Sequence, residues 1–305
     1  RMYRDRNHKP ELLCAVENFW GLRGFRPLEE LQSEMRGFAD LLPPPATELR
    51  DALRAFVASP SESSWREAFA AFLHAAESAA RTAVVEALQR YCRMSDPGTD
   101  DPARDNRYWW CQDLLRQFPG DLGAAAPLYL NLVHITPGQA IFLEAGVLHA
   151  YLYGAGVELM AASDNVLRAG CTSKHADRRE LLRALTFVCE PAAVVSPAVE
   201  ACGDGEVQRY ETSAKEFELL RCTLPSGISR GRIYLSQSRA SAAVVLSLGS
   251  EARVFEETGR AVVLSPTESA VVNDGTKRFV VELRAGGVIY VAGVPGAITC
   301  TGVIS

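Results

Sequence analysis

Between Leu143 and Lys174 the chain gathers His149, Glu158, Asp164, Arg168 and Lys174 among residues that are otherwise small or apolar. A buried charge is costly unless it is paired, bound to a metal or met by a ligand. A polar cluster on apolar, strand-like sequence therefore reads as a pocket lining. The rival reading is a solvated strand edge, since Asp, Glu, Lys and Arg are ordinary surface residues. A second cluster is His8-Lys9-Pro10-Glu11. Pro10 fixes the backbone and keeps Lys9 extended, so Lys9 and Glu11 share one face while His8 points to the other. A carboxylate two residues from an ammonium is either a surface ion pair or a metal ligand beside a proton carrier.

A catalytic zinc site needs three or four N, O or S ligands and an open position. Glu11 and His149 could be two of them, although no HxH or HExxH spacing joins them. Arg168, a fixed forked cation, and Lys174 are near enough in sequence to serve one anionic group. Lysine is used only at Lys9, Lys174, Lys215 and Lys277, with arginine elsewhere. A lysine retained against that background has a specific job as a compact, deprotonatable charge. Lys215 and Lys277 lie in turn-like sequence and read as surface residues. His74 and His134 read as structural and His175 as solvated. No Walker-type GxxxxGK[ST] and no GxGxxG opening a helix occurs, so nucleotide binding has no support.

The elements that must position these residues follow from period and breakers. Residues 1–26 read as a strand or extended segment carrying NHKPEL, followed by the aromatic, glycine-rich passage ENFWGLRGFRP. From 27 to 118 apolar residues recur at helical spacing, predicting a subdomain of about four helices; Ser61 or Ser63 is the N-cap of its Ala-rich part. After Pro119-Gly120, short apolar runs broken by Pro-Gly, Ala-Gly and Gly-Ala-Gly predict antiparallel strands of a barrel or jelly roll over 119–200, with a short helix in DRRELLRALTFV. PAAVVSPAVEACGDGE reads as a linker, and 201–305 as a second all-β unit.

Of the 305 residues 48% are hydrophobic and the net charge is -5, so the chain can build a large core and has no basic footprint for nucleic acid or anionic membrane. No apolar run approaches the ~20 residues of a membrane span. The eight cysteines are scattered without a CxxC, as expected of free thiols in a reducing cytoplasm. The chain opens on Arg1 directly before a motif-dense segment, which predicts a piece of a longer protein or a product of processing.

NHKPEL, GLRGFRP, PGDLG, LNLVHITPGQAIFLEAGVLHAYLYG and VELMAASDNVLRAGCTSK together resemble type I phosphomannose isomerase, the zinc-dependent mannose-6-phosphate isomerase family of the cupin superfamily. The resemblance runs from the first residues to about 190; the C-terminal β-unit carries no distinctive motif. It implies a mainly β fold of cupin jelly-roll barrels with an inserted all-α subdomain. It further implies one Zn2+ held by Glu11 and His149, and catalytic-pocket positions at Arg168, Lys9, His8 and Asp164. Lys174 becomes a phosphate contact and Glu158 a substrate-binding position. The family's other two zinc ligands, a Gln and a His in a Q-x-H-P-type motif, have no match and are expected from a missing N-terminal segment. Leu148 stands where a proline is common, and Ser173-Lys174-His175 where Thr-Pro-Lys-Phe is usual.

The activity so implied is interconversion of mannose 6-phosphate and fructose 6-phosphate through a cis-enediol, by a cytoplasmic monomer whose partner is a small-molecule sugar phosphate. The alternative is a non-catalytic cupin that binds a sugar phosphate. An iron cupin oxygenase is poorer, because a two-His-one-carboxylate face would need a second credible His on the barrel.

Overall fold

A computed structural model of the protein describes residues 5, 7–96, 106–237, 242–257, 259–273 and 277–301. Two strands come first, β1 (Glu11–Ala15) and β2 (Phe19–Phe25), so the glycine-rich passage is itself a strand. Helices α1 (Leu28–Asp40), α2 (Thr47–Ala58), α3 (Glu62–Ala75), α4 (Arg81–Ser95) and α5 (Arg107–Gln117) follow, then the short α6 (Ala126–Tyr129). β3 (Leu130–Ile135), β4 (Ala140–Leu143), β5 (His149–Tyr153) and β6 (Gly156–Met160) lead to α7 (Arg178–Ala184). The C-terminal strands are β7 (Ala198–Cys202), β8 (Gly205–Tyr210), β9 (Glu218–Thr223), β10 (Arg230–Gln237), β11 (Ala243–Leu248) and β12 (Ala252–Glu256). They continue with β13 (Ala261–Leu264), β14 (Ser269–Val272), β15 (Arg278–Arg284), β16 (Val288–Gly293) and β17 (Ile298–Cys300).

Among the described residues the strands form four antiparallel sheets, in the orders β3-β2-β5, β4-β1-β6, β14-β11-β16-β9-β8-β7 and β13-β12-β15-β10-β17. The alternation in β1 explains how they stack. Leu13 and Ala15 face Phe19, Val133 and Ile135 of the β2 sheet. Leu12 and Cys14 face Tyr210, Leu219 and Tyr290 of the six-stranded sheet. A strand covered on both faces loses the polar alternation of a half-exposed one, which is why ELLCA is apolar after its first residue. The outer face of the β2 sheet is covered by the helices, with Phe25 set 5.3 Å from Phe69 and 5.1 Å from Phe187. The two large sheets enclose a separate core that includes Val245, Phe279, Val281 and Ile289.

The protein is thus mainly antiparallel β with a helical block between β2 and β3, as the period predicts. Over 27–118 its described residues form five α-helices rather than about four, because the Ala-rich stretch breaks at 76–80. There the Ser78 hydroxyl donates to Ala75 O and accepts from Ala80 N, local bonds that compete with the helix ladder. The cap of α3 is Ser61, in a reciprocal capping box with Ser64, rather than Ser63. Glu34, buried on α1, is satisfied by Arg26 Nη1 at 3.1 Å and by the Tyr91 hydroxyl at 2.7 Å. The segment read as a linker contains β7 and the start of β8, and the 200/201 division falls inside β7. β8, β9 and β10 are strands that the sequence reading did not single out. Their alternation is interrupted by Arg209, Arg221, Arg230 and Arg232, whose carboxylate or amide partners lie on other strands or far along the chain.

Candidate functional site

The site begins with a bend in β2. Register shifts between Arg23 and Phe25, where Gly24 adopts φ 60°, a conformation glycine reaches without a Cβ clash. Before the bulge Arg23 lies opposite His149 on β5; after it Phe25 joins the helical core. A cavity of about 840 Å³ opens at the end of the two small sheets, where Glu11 of β1 and His149 of β5 meet, and is walled by α5, α6, α7 and the loops at 144–148 and 165–172. Its volume suits a small organic ligand. His8, Lys9, Glu11, Glu144, His149, Tyr151 and Arg168 reach its wall amid mainly apolar neighbours.

Glu11 is the first residue of β1, where Pro10 ends the extended approach. Its Oε2 lies 3.5 Å from His149 Nε2, with the side chains 13% and 29% exposed. His149 Nδ1 is 2.9 Å from Val147 O. A carbonyl can only accept, so Nδ1 carries the proton and Nε2 faces Glu11. Burial works to raise the Glu11 carboxyl, but the bond and charge of His149, helped by Glu158 and Lys9, bring it below the ordinary carboxylate value. Burial works to lower the His149 imidazole, and Glu11 with the Val147 carbonyl more than offsets it, leaving it above its ordinary value.

The pair also meets the requirements of two metal ligands. Donors ~2.0–2.1 Å from one ion at a tetrahedral angle stand about 3.4 Å apart, against the 3.5 Å found. The Val147 carbonyl supplies the outer bond that fixes a ligating imidazole. Among the described residues no set of three or more His, Cys, Asp or Glu converges for a metal, so the donor set is partial.

Tyr151 lies two residues along β5 from His149, on the same face by the strand period. Its hydroxyl donates to Glu158 Oε1 at 2.5 Å; burial and then Glu158 push the phenol up. Glu158 itself is an exposed residue of β6, bonded to Tyr151 and to Glu11. His8 reaches the cavity edge, yet its Nε2 is 2.7 Å from Glu216 Oε1 of the C-terminal unit. Asp164 and Lys174 are exposed and do not reach the wall. The structure therefore brings together Lys9, Glu11, His149 and Arg168, with His8 at the rim and Glu158 joined to the cluster through Glu11 and Tyr151, and leaves Asp164 and Lys174 outside.

Several positioning residues escaped the sequence reading. Asp5 accepts from Asn7 N at 2.8 Å, Ser163 Oγ at 3.0 Å and Asn165 Nδ2 at 3.0 Å, tying the SDN loop to the NHKPE segment. Asp121 of PGDLG accepts from Gly123 N at 2.7 Å and Cys171 N at 2.8 Å. There Gly123 and Gly170 approach so closely that a Cβ on either would sit 2.8 Å from the other's backbone. This contact seats the loop carrying Arg168. Arg23 donates from Nε to Phe142 O at 2.8 Å and from Nη2 to Glu144 Oε2 at 2.9 Å, bracing the cavity mouth. A period-2 search from His149 would have found Tyr151. Asp5, Glu144 and Glu216 carry no local signal.

No family model matches the chain. Mannose-6-phosphate isomerase of Bos taurus is 30% identical over 294 residues, covering 95% of this chain and 64% of its own length. The Escherichia coli enzyme of that name is 35% identical over 194 residues, 63% of this chain and 45% of its own. A variant of phosphomannose isomerase from Salmonella typhimurium superposes with a TM-score of 0.78 at 26% identity, over 95% of this chain and 68% of that one. The chain is similar to mannose-6-phosphate isomerases over nearly its whole length. It spans 64% of the length of the first curated relatives it matches. Likeness to this isomerase over nearly the whole chain includes the C-terminal sheets, where no motif pointed to it. No helix among the described residues is long and apolar enough to cross a membrane.

Proposed function

We propose that the protein is a zinc-dependent aldose–ketose isomerase that interconverts mannose 6-phosphate and fructose 6-phosphate, on a cupin-type barrel and in the cytoplasm. The observation that carries this is the convergence of Lys9, Glu11, His149 and Arg168 on one cavity in a chain similar to mannose-6-phosphate isomerases. Glu11 and His149 would hold the metal, with further ligands supplied from outside the described residues. Zinc, when bound, would polarise or orient the sugar oxygens.

The difficult step moves a proton between C1 and C2 through a cis-enediol. It needs a base near the sugar and a cation facing the developing oxyanion. Lys9 is favoured over Asp164 as the proton carrier because it reaches the cavity wall beside Glu11. His8, engaged by Glu216, is less available for that task. Arg168 faces the enediolate or phosphate charge, and no described carboxylate closes an ion pair with it. Lys174, exposed beyond the loop that carries Arg168, would contact the phosphate from outside the cavity wall. Apolar residues such as Leu22, Leu130 and Leu148 limit water around the enediol.

Turnover of mannose 6-phosphate by the full-length protein and its Arg168→Ala variant tests this. Loss of most of kcat in the variant is expected, and near-normal turnover overturns the assignment. The partial donor set favours one second reading, a sugar-phosphate binder without turnover. Stoichiometric zinc with no isomerisation by the intact wild type would select it.

A further inference from the structure

Two pairs of cysteines meet outside the site, and they differ in access. Cys92 on α4 and Cys111 on α5 interact inside the helical core, each with 0% exposure. Cys202 ends β7 and Cys300 ends β17, and their thiols lie within hydrogen-bonding reach of one another. Cys202 is buried and Cys300 half-buried. β7 and β17 are the terminal strands of the two facing large sheets, so the pair sits where the sandwich is open. One carbonyl organises both sides. Tyr234 O accepts from Cys202 Sγ at 3.0 Å and from Thr301 N, beside Cys300, also at 3.0 Å. Cys300 is further held opposite Leu235 in the β10–β17 ladder.

We propose that Cys202 and Cys300 form an oxidative modification site, which peroxide converts to an intramolecular disulfide joining β7 to β17. The hydrogen bond from Cys300 brings the Cys202 thiol below its ordinary pKa, against the effect of burial. The hydrogen bond shared by the two sulfurs stabilises a thiolate in the pair, with Cys202 as the attacking sulfur. Its sulfur attacks hydrogen peroxide, forming an S–O bond and breaking the O–O bond; the departing hydroxide takes a proton and leaves as water. Cys300 sulfur then displaces the hydroxyl from the sulfenic acid, losing its own proton as the S–S bond forms and a second water leaves. Two thiols give up two electrons, and one peroxide is reduced to two waters. Cys92 and Cys111, sealed in the core, are shielded from the same oxidant. The cross-link closes a loop of roughly a hundred residues, which restricts the unfolded chain. Oxidation therefore stabilises the C-terminal sandwich.

The test uses the whole protein, reduced and then exposed to limiting peroxide, with no readout of turnover, so its outcome is independent of the isomerase reading. Thiols alkylated after unfolding should fall by two from the eight present. Peptide mapping should show Cys202 linked to Cys300, and the unfolding midpoint should rise until reductant is added. Cys300→Ser should lose the cross-link and leave Cys202 as the sulfenic acid, trapped with dimedone, with no rise in midpoint. A Cys92–Cys111 link in place of the expected one overturns the proposal, as does sulfinic acid at Cys202 in the wild type with Cys300 still free. Should Cys202→Ser fail to fold, the half-buried Cys300→Ser position and the wild-type map decide the question.

Discussion

The space between the two small sheets and the space between the two large ones are both walled by antiparallel strands, yet they are filled differently. Between the large sheets the core is apolar, from Val245 and Ile289 to Phe279 and Val281. Its flanking charges are closed off by the protein: Glu218 accepts from Gly296 N at 3.1 Å and Ile298 N at 3.2 Å. Between the small sheets, Leu13, Phe19 and Ile141 give way to Glu11, His149 and Tyr151, and the polar atoms face a cavity. Saturated polar groups make scaffold. Groups held in place from behind, with an open side in front, make a site.

Substitutions on the two sides should separate stability from chemistry. Phe279→Ala, at a side chain 1% exposed, should cost about 3–5 kcal/mol of stability by leaving a cavity, read as a fall in denaturation midpoint. The kcat per folded molecule should hold; a loss of kcat in fully folded protein would break the division. Arg168→Ala should do the reverse, lowering kcat by about 100- to 1,000-fold with the denaturation curve unmoved.

Acid should sharpen the contrast. Burial works to raise the Glu282 carboxyl, but Arg230 and Arg232 more than offset it, and it lies below its reference value of 4.5. A carboxyl depressed on folding adds stability above its unfolded pKa and loses it as pH falls through the lower folded value. The stability difference between wild type and Glu282→Gln should thus be full near neutrality and shrink below about pH 4.5. A difference that grows on acidification would contradict the ion-pair account. Asp5 is depressed too, chiefly by the Asn7 amide, so the tie on the SDN loop should loosen over the same acid range. The smallest effect is expected from Ser61→Ala, which removes the capping box of α3 and should cost about 1 kcal/mol, leaving both regions' ligands untouched.

Much of this arrangement was legible in the chain. The helical period over 27–118, the Pro-Gly breaks after 119, and the NHKPE and HAYL segments pointed to a helical block within β structure and to Glu11 and His149. What escaped was of two kinds. Strand β2 was hidden because glycine and arginine interrupt its apolar run, and β7 because its exposed AVEAC reads like a linker. Both were decided by pairing with distant strands, which no local window contains.

Site residues divide in the same way. Residue type and spacing determined which side chains were capable of chemistry, because acidity, charge and ligand class belong to the side chain itself. Only the tertiary structure decided which of them share a cavity. Glu11 meets His149 from 138 positions away because β1 and β5 lie in facing sheets, while Asp164 and Lys174, nearer to His149 in sequence, fall outside. The supports are likewise long-range, Asp5 to Asn165 and Asp121 to Cys171. A hydrogen bond is specified by where two backbones pass each other, and that is a property of the packed sheets rather than of any stretch of sequence.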